Sequence, residues 1–119
     1  MPQDFHDLTV WQRAIDLTVC IYKLTRGFPK EEMYGLTSQM RRAAVSVPSN
    51  IVEGCTRKSQ SEYLHFLEIA FGSLRELHYQ FGLSKRLGYS DEHNVPECDS
   101  KLLETEKVLG ALIRSIHKD

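Results

Sequence analysis

Apolar residues recur at spacings of three and four along almost the whole chain, which is the period of a helix and not of a strand. Four helical segments follow from this pattern. The first is expected from about Leu8 to Arg26, with Asp7 as its cap, and is stopped by Gly27-Phe28-Pro29. The second runs from about Met33 to Thr56 with the stripe Leu36, Met40, Ala43, Val47, Ile51. The third runs from about Gln60 to Leu87. It opens on the capping box Ser59-Gln60-Ser61-Glu62, carries the seam Tyr63, Leu67, Ala70, Leu74, Leu77, Phe81, and stops at Gly88. The fourth starts between Asn94 and Asp99, where Asn94-Val95-Pro96-Glu97 reads as a second capping box, and continues through Leu102, Leu109, Leu112 and Ile116. Short links between long helices favour antiparallel neighbours. The predicted fold is therefore all-α, an antiparallel up-down-up-down four-helix bundle spanning residues 1–119 as a single domain.

Two features depart from a plain bundle. The first segment has two apolar stripes: Leu8, Trp11, Ile15, Tyr22, and Ala14, Leu17, Ile21, Leu24. On a helical wheel they span roughly 200°, well beyond the stripe of ≳ 100° that faces a single core. The excess predicts either a helix central to the monomer core or, the favoured reading, a second apolar contact with another subunit. In the second segment Pro48 interrupts the stripe. A proline there removes one helical hydrogen bond, so a kinked but continuous helix is expected, with Ser46, Ser49 and Asn50 available to satisfy the freed groups.

Composition narrows the function classes. The chain has 119 residues with formal net charge −1, which argues against a strongly basic nucleic-acid binder while leaving room for a local patch. Residues 1–58 are net +2 and residues 59–119 net −3, so a basic surface would draw on the first half. Arg41, Arg42, Arg57 and Lys58, with Arg13, Lys23 and Arg26, are the candidates for a phosphate-facing surface. Gln39, Arg42, Ser46, Asn50 and Glu53, with Arg57, share one side of the second helix and are candidates for a polar network fixing register between helices or subunits. Cys20, Cys55 and Cys98 are far apart and odd in number; without a Cys-x-x-Cys pair a reducing, cytoplasmic setting fits best. Neither a signal peptide nor a membrane span is expected.

Four-helix bundles house di-iron sites built from two Glu-x-x-His motifs. Here Glu62-Tyr63-Leu64-His65 has no second copy, and Glu62 and His65 lie off the core stripe. The histidines are scattered, and no nucleophile elbow, P-loop or dinucleotide fingerprint is present. No catalytic residue, metal or cofactor is therefore expected, and the reading is non-enzymatic.

The stretch from Gln39 through Arg41-Arg42-Ala43 and Ser46 to Asn50-Ile51-Val52-Glu53-Gly54 resembles the signature Q-h-R-R-A-x-x-S-h-x-x-N-I-A-E-G, with h apolar. That signature belongs to the four-helix-bundle family encoded by intervening sequences within bacterial 23S ribosomal RNA genes. Asp7-Leu8, Val10-Trp11-Gln12, Phe28-Pro29, Glu32, Tyr34-Gly35-Leu36, Leu67 through Leu77, and Gly88-Tyr89 agree as well. Val52 stands where the family usually has alanine, and the fourth segment matches loosely. The resemblance implies a homo-oligomer, commonly a pentamer. It also implies kinship with the accessory variability determinant of diversity-generating retroelements, which binds nucleic acid through a basic pentameric surface. The expected partners are thus further copies of the chain and RNA or DNA. An assembly that contacts only protein is the alternative, and a metal-dependent bundle enzyme the third.

Overall fold

The computed structural model describes residues 4–90 and 92–117. Four helices carry the chain: α1 (Thr9–Thr25), α2 (Leu36–Cys55), α3 (Gln60–Arg86) and α4 (Val95–His117). Among the described residues there is no strand. Each helix packs on its neighbours in the order α1–α2–α3–α4 and α4 closes on α1, with the α2–α3 seam the most extensive. Paired residues give the directions. Thr18 meets Ala44 while Arg41 meets Thr25. Ser46 meets Ser73 while Gly54 meets Tyr63. Lys85 meets Asp99, His78 meets Glu106 and Glu68 meets His117. Thr105 meets the Arg13 carbonyl while Cys20 meets Cys98. On every seam one number falls as the other rises, so the bundle is antiparallel up-down-up-down, as the pattern predicts.

The helix ends follow local chemistry. Ser59 Oγ accepts from the Glu62 N–H at 3.1 Å, so the predicted serine cap starts α3, while the Glu62 carboxylate accepts from the Ser59 hydroxyl at 3.0 Å in place of the Ser59 N–H of a full capping box. At its far end Gly88 takes φ 75°. There the Gly88 N–H bonds the Lys85 carbonyl and the Tyr89 N–H bonds the Ser84 carbonyl, the paired closure of a Schellman stop. The first helix starts differently from expectation. Asp7 lies in a short 3-10 turn, Phe5–Asp7, and it is Asp4 that caps this turn; α1 then begins without a side-chain cap. α2 starts later than predicted because Lys30–Glu32 forms another 3-10 turn. The Glu32 carboxylate reaches forward to cap the first turn of α2, accepting from the Leu36 N–H at 3.0 Å. Its other oxygen accepts from the Tyr89 hydroxyl at 3.0 Å. That hydrogen bond, with burial adding to it, raises the Tyr89 phenol above its ordinary pKa. Phe28 packs on the same tyrosine ring, so one carboxylate ties the α1–α2 link to the α3–α4 link. Gly35 leaves space for it: a Cβ there would lie 2.6 Å from a Glu32 carboxylate oxygen.

Proline at 48 is accommodated inside an unbroken α2. Lacking an N–H, it leaves the carbonyl of Ala44 without its helical donor. The serines and asparagine near it in sequence do not fill that role. Thr18 of α1 does, its hydroxyl lying 3.0 Å from the Ala44 oxygen and 2.8 Å from the Ala14 oxygen, so one proton serves two carbonyls. A defect within one helix is thereby met by a side chain of its neighbour.

Two glycines behave oppositely. Gly72, inside α3, has nothing within 4 Å of where a Cβ would be. Gly54 is the tight one: a Cβ there would sit 3.0 Å from the Tyr63 ring and 3.2 Å from Phe66. With Ser46 and Ser73 hydroxyls 2.8 Å apart further along, small residues let α2 and α3 approach.

Cys20 and Cys98 were not paired by the sequence reading. Antiparallel packing of α1 and α4 brings them into disulfide-bonding contact with their Cα atoms 5.8 Å apart, while Cys55 is a free, buried thiol.

Thr18→Val should cost about 1–2 kcal/mol in urea denaturation, since it orphans a carbonyl without changing shape. In a Pro48→Ala background, where a backbone N–H returns, the same change should cost less than about half of that. Equal costs in both backgrounds would disprove the coupling. Gly54→Ala should destabilise by about 1–3 kcal/mol through overpacking, whereas Gly72→Ala should stabilise by about 0.5–1 kcal/mol. Thermal melts of the two variants should therefore move in opposite directions.

Candidate functional site

The two stripes of α1 have separate fates. Ala14, Leu17, Ile21 and Leu24 are buried in the core. Leu8, Trp11 and Ile15 remain half-buried, and Tyr22 is exposed. Val19, between Ile15 and Tyr22 on that side, is 49% exposed. Across from them α2 presents Val45, 40% exposed, with Ser49 and Val52. Together Trp11, Ile15, Thr18, Val45, Pro48, Ser49 and Val52 line an apolar groove of about 210 Å³. Pro48 forms part of its wall, beside Thr18 of α1.

Beyond Val45 the groove opens into a larger cleft of about 520 Å³, lined by Tyr22, Met33, Tyr34, Thr37, Ser38, Arg41, Arg42 and Val45. Met33 and Tyr34 sit in the connection ahead of α2, and Tyr34 is 97% exposed. Sequence reasoning missed their role. The available signal was two large apolar residues between Pro29 and Leu36 that belong to no core stripe.

The predicted basic residues do not form one surface. Arg41 is held firmly: its Nε donates to Thr25 Oγ1 at 2.8 Å, its guanidinium lies 4.7 Å from the centre of the Tyr22 ring, and Nη2 approaches the Tyr22 carbonyl. Arg42 is exposed in the same cleft, and no carboxylate lines it. Lys23 and Arg26 are exposed at this end of α1. Arg57 and Lys58 lie just past the other end of α2, whose last residue Cys55 is 14 residues or about 21 Å of helix from Arg41. Arg57 is partly neutralised by Glu53 at 3.3 Å and lies over the Phe66 ring. Arg13 is paired with Glu104 of α4. Of the seven predicted basic residues, the cleft brings together Arg41 and Arg42.

The predicted polar network is smaller than its sequence version. Asn50 Nδ2 donates to the Ser46 carbonyl and hydroxyl at 2.8 and 3.0 Å, and Ser46 continues to Ser73 of α3. This links α2 to α3. Glu53 is joined to Arg57 instead, and Gln39 and Arg42 stand exposed on the same side of α2 but outside the network.

Other polar groups act as clamps. Glu106, only 12% exposed at its side chain, accepts from Arg75 at 2.9 Å and meets His78 Nδ1 at 2.8 Å across the α3–α4 seam. Glu62 serves the α3 cap and His65 is exposed. Among the described residues no group of three or more His, Cys, Asp or Glu is placed to hold a metal ion. No helix among them is long and apolar enough to cross a membrane.

No curated protein sequence matches the chain. A solved structure from Bacteroides thetaiotaomicron, a protein of unknown function from the S23 ribosomal protein family, shares the fold. Its TM-score is 0.77 at 22% identity, and the match covers 88% of this chain and 98% of that one. The sequence pattern of the family described as 23S rRNA-intervening sequence protein matches residues 6–111, and on that match, which spans the groove, the cleft and the motif helix, the chain belongs to this family.

Proposed function

We propose that the chain is the subunit of a non-enzymatic homo-oligomeric scaffold that docks through the α1–α2 groove and binds RNA or other nucleic acid beside it. The observation that carries this reading is the strip of apolar residues left wholly or partly exposed, from half-buried Trp11 past Val19 and Val45 to Tyr34. A contiguous apolar patch of this kind is covered by a partner in most soluble proteins. A second copy supplies that cover without any further component. The family's habit of forming rings of five makes a closed ring the assembly expected here. A ring needs two different surfaces that meet head to tail, so the groove would receive another part of the next subunit.

The nucleic-acid part of the proposal rests on Arg41 and Arg42. A guanidinium already fixed by Thr25 and Tyr22 loses little freedom when it meets a phosphate, and a cleft without carboxylates imposes no repulsion. A protein-only assembly is favoured by one specific feature, the apolar character of Met33 and Tyr34 in that same cleft.

Light scattering at micromolar concentration should give a multiple of the 13.7 kDa chain mass, five for the ring. Val45→Asp, which places a charge in the groove, should shift the equilibrium toward monomer by at least about 100-fold in dissociation constant while leaving the helical spectrum intact. A wild-type mass of one chain, unchanged on concentration, would defeat the assembly; a stable dimer or tetramer would reject only the ring of five.

Titration of RNA against salt tests the second part. Arg41→Glu with Arg42→Glu should weaken binding and flatten the slope of log affinity against log salt by about 1–2, the slope expected for two lost phosphate contacts. Arg13→Ala should change neither, since Glu104 already engages it. Binding that is absent in the wild type at low salt would leave the protein-only assembly as the function, and binding unaffected by the double reversal would place the nucleic-acid site elsewhere.

A further inference from the structure

Cys20 faces into the bundle from α1, 3% exposed, and Cys98 faces it from α4 and is fully buried. Their Cα atoms are 5.8 Å apart, inside the range a disulfide spans, and 78 positions of chain separate them. We propose that Cys20 and Cys98 form a reversible redox staple that fixes the start of α4 against α1 when oxidised and releases it when reduced. Three observations carry this. The pair is preorganised across two helices, so bonding needs no rearrangement of either backbone. Cys98 belongs to the first turn of α4, its N–H bonded to the Asn94 carbonyl, and helix ends open more readily than their middles. Opening that one turn exposes a sulfur to exchange while Leu102 and Leu109 keep the rest of α4 docked.

The third cysteine does not interfere. α1 and α2 run antiparallel with Thr18 opposite Ala44, so Cys55 lies toward the other end of the bundle, about 18 Å of helix from the level of Cys20. Burial also raises its thiol pKa, which lowers its reactivity. Exchange within one chain therefore has a single productive pairing.

With glutathione disulfide as oxidant the chemistry balances. The Cys98 thiolate attacks one glutathione sulfur, breaking that S–S bond and expelling a glutathione thiolate. The Cys20 thiolate then attacks Cys98 Sγ of the mixed disulfide and expels the second. Two electrons pass from the cysteines to glutathione disulfide, and the two cysteine protons end on the two glutathione thiols. Closing so long a loop removes many unfolded conformations, so oxidation raises the melting temperature.

The full chain equilibrated in millimolar glutathione disulfide should yield a linked Cys20–Cys98 peptide pair on non-reducing mass mapping. Its melting temperature should lie roughly 10 °C above that in dithiothreitol. On reduction, amide exchange should accelerate first in the opening turn of α4. Cys98→Ser should abolish the redox difference in melting, and Cys55→Ser should preserve it. Three free thiols after oxidation, equal melting in both buffers, or a difference that survives Cys98→Ser would each overturn the staple. Because none of these measurements depends on assembly or on nucleic acid, the staple stands or falls separately from the function proposed above.

Discussion

The hydroxyl of Thr18 occupies a position on which much of the α1–α2 half of the molecule depends. α2 carries a proline within its buried stripe, and the carbonyl one turn before it has no partner in its own helix. An unpaired carbonyl in such a setting costs about 1–3 kcal/mol, so the neighbouring helix must stand at the height where a donor can reach it. Setting Thr18 opposite Ala44 fixes that height. The same register then puts Thr25 beside Arg41 and the Tyr22 ring under its guanidinium. It also aligns Ile15 and Trp11 with Val52 and Ser49 to make the groove. A backbone defect, its repair, the apolar strip and the basic cleft are consequences of one alignment.

The bundle's two kinds of seam use different physics. α2 and α3 come together through small residues, with Gly54 under Tyr63 and paired serine hydroxyls above it. α3 and α4 meet over larger side chains and are trimmed at their edges by Glu106 with His78 and Arg75, Lys85 with Asp99, and Glu68 with His117. Edge pairs exposed to water contribute little stability individually. Their use is to choose among the sliding positions that apolar contact alone leaves open. Glu32 plays the comparable part at one end of the bundle, binding an α2 N–H and a tyrosine from the far link at once.

Helix number, direction and most boundaries were legible in the sequence because they follow from local rules. Apolar period, the Ser59 cap and Gly88 each act within a few residues. The second apolar stripe of α1 was legible for the same reason, and it stays only partly covered, with Leu8, Trp11 and Ile15 half-buried and Tyr22 exposed. What could not be read were features requiring the height of one helix against another. Thr18 as the partner of Ala44, Cys20 opposite Cys98, and Gly54 as the tight glycine all depend on inter-helix register. The basic set failed as a group for a similar reason. Seven residues of one charge were grouped by type, but helix length separates Arg41 from Arg57, and a carboxylate of α4 engages Arg13. The local reading of Asp7 as a cap missed because a 3-10 turn intervenes before α1.

The circuit of four antiparallel helices also assigns the two poles of this 44 Å long molecule to different uses. α1 sets out, and α4 finishes, at the pole where Gln60 of α3 approaches the Ile116 carbonyl. Tyr34, Arg41 and Arg42 gather toward the opposite pole, around the α1–α2 link. A dye or an affinity handle carried at the exposed positions of His6 or His117 would sit at the pole away from the cleft. The molecule can thus be tethered by one pole while the other stays open, a polarity that suits a surface-immobilised probe.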